Sequence, residues 1–298
     1  MIKEGIYLDM SEEDYRKLPA INYSNLADFN NSPDHALMEK GAKSYFEEGN
    51  AFEMLIEDTV KGTTKFEKRF FIADAPGGMP EDLAGWIEKG ENLNEKYRLK
   101  NDGTRNNHSK RLHAWLDECQ KAPGRMPMGK DQIQMLNLMV DNFLKMQPLI
   151  DMDIETDMGE ILSISDFQVP VVWYAGKQRK KSLIDCVFQT NTAIYAFDIK
   201  TTADTKRFPW MVKDRYWIQE IHYSAGLGRI FPGKDIVWRF VTASKAKPYI
   251  SQPFCIDKTS TDMAWERYNE LCKDYQNWID DKRPARGWKE LESVKIWF

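Results

Sequence analysis

Residues 183–199 hold two short apolar runs with almost nothing between them. Leu183 to Phe188 and Ala193 to Ile199 are rich in β-branched and aromatic side chains, and the polar run Gln189-Thr190-Asn191-Thr192 parts them. Runs of this length and makeup, joined this tightly, read as neighbouring antiparallel strands. If Asn191-Thr192 is a two-residue hairpin loop, Thr190 pairs with Ala193 and, counting outward, Asp185 falls opposite Asp198. Cross-strand partners on one face have Cβ atoms about 5 Å apart. Period-two alternation then puts Lys200 on the face of Asp198. Two carboxylates so close repel each other unless something cationic sits between them. A hard, oxygen-preferring ion such as Mg²⁺ satisfies both.

An acid-x-Lys triplet alone carries little, because charged residues make up 30% of the chain and Asp280-Asp281-Lys282 is another. What distinguishes Asp198-Ile199-Lys200 is its setting. The flanking strand residues are otherwise apolar, as expected of a buried sheet, and charges emerging from such strands are rarely decorative.

A helix follows directly. From about Pro209 to Arg229 the chain reads as one long helix, with proline tolerated in its first turn and Gly226, Gly228 and Pro232-Gly233 closing it. Trp210, Trp217, Ile221 and Ala225 form its expected inward stripe. Arg215, Gln219 and Tyr223 are spaced i, i+4, i+8 and share a second face, with His222 beside it. On an arbitrary helix such a face is ordinary polar surface. Here it follows the acid-x-Lys strand, within reach of a phosphate or a water.

Asp185, the block Asp198-Ile199-Lys200-Thr201-Thr202-Ala203-Asp204, and Gln219-x-x-x-Tyr223 resemble the core of the PD-(D/E)XK nuclease superfamily. More narrowly they resemble the exonuclease VIII (RecE-type) branch of phages and prophages. The N-terminal third agrees, through Tyr7 to Tyr15, Leu18-Pro19-Ala20-Ile21, Ser24-Asn25-Leu26, Ser32-Pro33 and Gly49 to Ile56. The likeness covers residues 1 to about 72 and about 130 to 230. There are departures. Glu53 stands where that family usually has a histidine, although a glutamate from an early helix fills that place elsewhere in the superfamily. A carboxylate suits Mg²⁺ or Mn²⁺ at least as well as imidazole does. Lys181-Ser182-Leu183-Ile184 lacks the arginine more typical two residues ahead of the acid.

The resemblance implies a restriction-endonuclease-like α/β fold, with a central mixed sheet flanked by helices and a helical N-terminal elaboration, as one domain over residues 1–298. In it, Glu53, Asp185, Asp198 and the backbone carbonyl of Ile199 would hold one or two Mg²⁺ (or Mn²⁺) ions. Lys200 would orient or deprotonate a water, and Gln219 and Tyr223 would position that water or the scissile phosphate. Ser24, near a helix start, would meet a terminal 5′-phosphate, with Arg215 and Lys181 as further DNA contacts. The implied activity is 5′-to-3′ exonuclease on ends of linear double-stranded DNA. Implied partners are a RecT-type single-strand annealing protein and further copies of the chain in a homo-oligomer. Two alternatives stay open at this point: an endonuclease or repair nuclease on the same core, and a non-catalytic DNA-binding module.

With 298 residues, 42% of them hydrophobic, the chain can bury a substantial core. A net charge of −4 argues against nucleic-acid binding by bulk charge. Local clusters exist at Lys177 to Lys181, Lys206-Arg207, Lys213 with Arg215, and Lys245 with Lys247. Cys119, Cys186, Cys255 and Cys272 show no CxxC spacing, which argues against zinc or iron–sulfur ligation and for reduced, mostly buried thiols of a cytoplasmic protein. No segment is long and apolar enough to span a membrane, and the start lacks an apolar signal region.

Along the chain, Ser11, Ser24 and Ser32-Pro33 read as helix starts. A helix from about Ser44 to Glu57 would carry Glu53. A strand is expected at Phe66 to Ile72, a loop at 75–80, and mostly helices over 81–146. Strands follow at about 160–174, 182–189, 193–199, 236–243 and 248–254, with a closing helix from Ser260 to Asp280.

Overall fold

The computed structural model describes residues 2–38, 45–74 and 107–284. The loop expected at 75–80 and the helices expected over 81–106 lie outside them. In chain order the N-terminal part holds β1 (Gly5–Ile6), α1 (Glu12–Lys17), α2 (Tyr23–Asn31), α3 (Pro33–Leu37), α4 (Tyr45–Lys61), α5 (Lys65–Arg69) and β2 (Phe70–Ile72). Then come α6 (Asn107–Lys121), β3 (Met126–Met128), α7 (Lys130–Leu144) and α8 (Met158–Ile164). Helix starts follow side-chain chemistry: the Ser11 hydroxyl accepts the Asp14 N–H, Asn22 and Asn25 cap α2 reciprocally, and Ser32 precedes a proline in the first turn of α3. Ser24 is therefore the second residue of α2, and Asn22 is its cap.

Three expected strands begin later than the sequence suggests, the last of them at Ser251 rather than near 248. Residues 65–69 coil into α5 because the Asp58 carboxylate receives the N–H groups of Lys65 and Phe66. Residues 158–164 form α8, since Met158, Ile161 and Leu162 recur at helical spacing and pack into the core beneath α4 and α7.

The C-terminal half builds the main sheet from β4 (Asp166–Ala175), β5 (Gln178–Gln189), β6 (Ala193–Thr202), β7 (Asp235–Ser244) and β8 (Ser251–Phe254). Between β6 and β7 lie α9 (Phe208–Met211), a π-helical turn (Val212–Tyr216) and α10 (Trp217–Ile230); α11 (Lys258–Asp280) closes the described chain. The six strands stand in the order β1-β4-β5-β6-β7-β8. All neighbours are antiparallel except β6 and β7, which pair in parallel over their full lengths. A parallel pair needs a crossover, and α10 supplies it, so this helix must lie across one face of the sheet.

Three packed regions surround the sheet. Phe52 and Ile56 of α4, Phe143 of α7, and Tyr195, Phe197, Ile199 and Val241 of the strands form the core on one face. Tyr223 and Leu227 of α10 meet Val169, Ile184, Ile194, Trp238 and Phe240 on the other. Outside α10, residues Leu26 and Phe29 of α2 pack with Ile218, Ile221, Tyr268 and Trp278. The fold is mixed α/β, a central mixed sheet flanked by helices, as expected. Cys119 and Cys186 are buried, whereas Cys255 is exposed and Cys272 half-buried; all four are free thiols.

The long helix expected over 209–229 is interrupted. The π turn at 212–216 inserts an extra residue into one turn and rotates everything before it. Trp210, expected to face inward, is 70% exposed, while Ile221 beyond the π turn keeps its buried place.

Candidate active site

The expected hairpin register is the observed one: Gln189, Phe188, Val187 and Cys186 pair with Ile194, Tyr195, Ala196 and Phe197, and the Thr190 N–H bonds the Ala193 carbonyl at 2.8 Å. The ladder stops there, one residue short of the acids. Beyond Cys186, β5 stays with β4, and beyond Phe197, β6 stays with β7. The two strands part, and Asp185 bridges the opening: its Oδ2 accepts the Ile199 N–H at 2.7 Å. The direct Asp185–Asp198 pairing expected from sequence is thus replaced by a carboxylate reaching across a gap.

Asp198, 1% exposed, projects toward α10. The Gln219 carboxamide donates to its Oδ1, and the Lys200 ammonium lies 2.5 Å from its Oδ2. Lys200 also sits over the Tyr216 ring, with Nζ 5.5 Å from the centroid. The π turn makes this possible, because it carries Tyr216 and the preceding Phe208 ring onto the same side. Tyr223, one turn beyond Gln219, is buried between the edges of Tyr23 and Trp238.

Glu53 comes from α4, one turn along from Asn50 and one turn before Glu57. Ala51, Phe52 and Ile56 bury the adjoining stripe of the helix. Glu53, Asp185 and Ile199 line a cavity of about 730 Å³ beneath α4, together with Gln168 and Glu57. The Gln168 amide donates to Glu53 Oε2 at 3.1 Å.

Burial dominates the electrostatics. It pushes the carboxyl of Glu53 well above the usual range, with the Asp185 charge adding to it and Lys200 opposing. Burial likewise raises Asp185, against Lys200 and the Ile199 N–H. Asp198 is pushed up to about 7 by burial, with Lys200 opposing and Asp185 adding. Burial works against the charge on Lys200, but Asp198 and Asp185 together outweigh it and hold the amine protonated. Lys200 is therefore a donor in this state, suited to orienting a water rather than deprotonating it.

The donor chemistry suits a divalent cation. Three carboxylates and the Ile199 carbonyl are hard oxygen ligands, and their crowding in a buried place calls for positive charge. The arrangement is two and one: Glu53 and Asp185 line the cavity, and Asp198 is held by Lys200 and Gln219. Among the described residues no three His, Cys, Asp or Glu side chains already form a metal-holding cluster. A cation and Lys200 would compete for Asp198.

The three expected DNA contacts divide. Ser24 stands half-buried in the first turn of α2. Arg215 pairs with Asp28 at 3.5 Å and keeps part of its side chain exposed. Lys181 is no surface cation. It is 4% exposed, and its ammonium bonds the carbonyls of Tyr15, Arg16 and Leu18 at 2.7, 3.2 and 2.8 Å, capping the C-terminus of α1. Lys180 is equally internal, donating to Tyr268.

Two residues of the site went unremarked in the sequence, Gln168 and Tyr216. The signal for Gln168 was present. Gly176-Lys177 is a two-residue turn, with Gly176 at φ 62° and Ala175 paired to Gln178. Counting back from it sets Gln168 opposite Asp185. Tyr216 depends on the π turn, which nothing in the local sequence announces.

No protein-family model and no curated protein matches the sequence. Among solved structures, the chain is similar to a crystal structure from Eubacterium rectale named "Putative exonuclease", with a TM-score of 0.55 and 10% identity over 97% of this chain and 96% of that one. At that identity the likeness is one of fold. No helix among the described residues is long and apolar enough to cross a membrane.

Proposed function

We propose that this chain is a metal-dependent deoxyribonuclease that hydrolyses phosphodiesters at ends of linear double-stranded DNA. The observation that carries the reading is the parted end of β5 and β6, with Asp198 and Lys200 toward α10 and Asp185 toward Glu53 of α4. The exonuclease name of the structural neighbour, and the resemblance of the acid-x-Lys block and Gln219-x-x-x-Tyr223 to exonuclease VIII-type enzymes, support it.

In this reading Glu53, Asp185, Asp198 and the Ile199 carbonyl would hold Mg²⁺ or Mn²⁺, which would lower the pKa of a water and offset charge on the phosphate. Lys200, held protonated by the acids around it, donates to the attacking water or to a phosphate oxygen. Gln219 fixes the Asp198 carboxylate through one end of its amide, while its buried Oε1 has no hydrogen-bond partner among the described residues. Tyr223 walls the site on the α10 side. Polarity from 5′ to 3′, release of single-stranded tails to a RecT-type annealing protein, and a homo-oligomeric state come from the family resemblance.

The test is degradation of end-labelled linear duplex beside the same DNA as a closed circle, with Mg²⁺ and with chelator. The expected result is loss of the linear substrate only, abolished by chelator. The Lys200→Ala variant should fold and lose activity by a factor on the order of 100 or more. Digestion of linear DNA at the wild-type rate by that variant would remove Lys200 from the mechanism. Cleavage of the circle would replace the exonuclease by an endonuclease.

A further inference from the structure

Gln168 holds a conformation that its residue type does not explain. Its φ is 50°, inside a strand, with Phe167 paired to Cys186 before it and Val169 paired to Ile184 after it. A left-handed residue other than glycine costs roughly 1–2 kcal/mol, and glutamine lacks the short side chain that makes asparagine tolerable there. The step has a matched counterpart in the facing strand. Phe167 and Cys186 pack into the core under α4, whereas Val169 and Ile184 pack into the core under α10. Both strands therefore change face together at Gln168 and Asp185. The two side chains at this step turn into the cavity that Glu53 lines.

There the Gln168 carboxamide meets one acid and neighbours the other. Its Nε2 donates to Glu53 Oε2 at 3.1 Å, and the strand register sets it opposite Asp185, which lines the same cavity. A primary amide has two N–H donors and no charge, so it can serve two carboxylates at once without adding to their repulsion. A glutamate in its place would add a further negative charge, and an apolar residue would leave the two acids facing each other with no donor between them. Strain at a place with such contacts marks a functional constraint rather than a packing accident.

We infer that Gln168 is a positioning residue of the candidate site, its carboxamide tying Glu53 to Asp185 and setting the spacing at which the pair accepts a divalent cation. The inference rests on the metal-dependent reading above, and the probe is Mn²⁺ alone, followed by titration calorimetry, with thermal unfolding of the metal-free protein measured beside it. Gln168→Gly removes the amide and relieves the backbone; Gln168→Met keeps the volume and removes the donors; Gln168→Glu adds a carboxylate. Gly and Met are expected to weaken Mn²⁺ binding about tenfold, and Glu to strengthen it. The metal-free Gly variant is expected to melt at or above the wild-type temperature. Wild-type Mn²⁺ affinity in the Gly and Met variants overturns the role of Gln168 and leaves the metal site standing. A marked loss of stability in the Gly variant also overturns it, because Gln168 would then be holding the fold. A wild-type protein that takes up no Mn²⁺ overturns both readings together.

Discussion

Replacing His222 by glutamine should remove a pH dependence that the fold itself creates. His222 is fully buried on α10, three residues beyond Gln219. Its Nε2 lies 3.1 Å from the Lys181 carbonyl, which can only accept, so Nε2 carries the proton. Its Nδ1 lies 2.9 Å from the Tyr268 hydroxyl, which accepts from the Lys180 ammonium at 3.0 Å and donates to the ring. Every donor in this chain has an acceptor while the imidazole is neutral. A second proton would set Nδ1–H against the Tyr268 O–H and put a cation near Lys180. Burial, with Lys180 adding to it, accordingly pushes the ring down to about 3 from an ordinary value of 6.5. The unfolded chain binds this proton below pH 6.5 and the folded chain does not. The contribution is therefore complete above about pH 7 and is lost progressively as pH falls from 6.5 toward 3. At pH 5 the linkage amounts to about 2 kcal/mol. The raised carboxyls of Glu53, Asp185 and Asp198 act in the opposite direction, since acid removes charges that burial penalises. The quantity to measure is thus a difference. Urea unfolding at pH 7.5 and pH 5 should show the wild type losing about 2 kcal/mol more than His222→Gln. The glutamine is neutral and can still bond both partners. Equal losses in the two proteins, or an NMR titration of His222 near pH 6.5, would refute the reasoning.

Two further substitutions test how the site is held. A Cβ on Gly226 would lie 2.9 Å from the buried Trp173 ring, which itself packs against the His222 imidazole, so Gly226→Ala should cost roughly 1–3 kcal/mol in denaturant unfolding; an unchanged midpoint would show that the ring yields freely. Lys181→Met leaves three carbonyls at the end of α1 without their ammonium. It should cost on the order of 1–3 kcal/mol while leaving the affinity of the folded protein for duplex DNA unchanged; the opposite pattern, stable protein with weakened DNA binding, would return Lys181 to the surface.

How far the site could be read in advance follows the range of the forces involved. The β5–β6 hairpin was legible because its loop and its period are local: Asn191-Thr192 fixes the count, and every pair from Gln189 to Cys186 falls where that count places it. Helix starts at Ser11 and Ser32 were legible for the same reason. The end of the ladder was not. It depends on β5 staying with β4 through a kink at Gln168, seventeen residues before Asp185, and on β6 staying with β7, whose first residue lies well beyond the crossover. The π turn was hidden because the apolar and aromatic residues on either side of it, such as Trp210, Met211, Trp217 and Ile218, suit an ordinary helix equally well. Lys181 looked like a member of a basic cluster from Lys177 onward; its burial is decided by α1, some 165 residues earlier in the chain.

The topology explains why the polar residues collect where they do. In a sheet that changes from antiparallel to parallel at β6, the strand on either side of the change has a different partner to follow, and the end beyond their last shared pair is free to open. The crossover must return over one face, which brings Gln219 onto Asp198, while α4 closes the opposite face and brings Glu53 to Asp185. No local rule puts these acids together; the connection between β6 and β7 does. The cost is visible in the charges. The Asp185, Asp198 and Glu12 charges all raise the Glu53 carboxyl, and Lys200 opposes them. A fold seeking stability alone would place alanine or leucine at such positions, since buried like charges are among the most expensive arrangements a core can hold. Carboxylates gathered at the parted strand end are stable only as far as the surrounding core supports them, and theirs is the arrangement a cation would relieve.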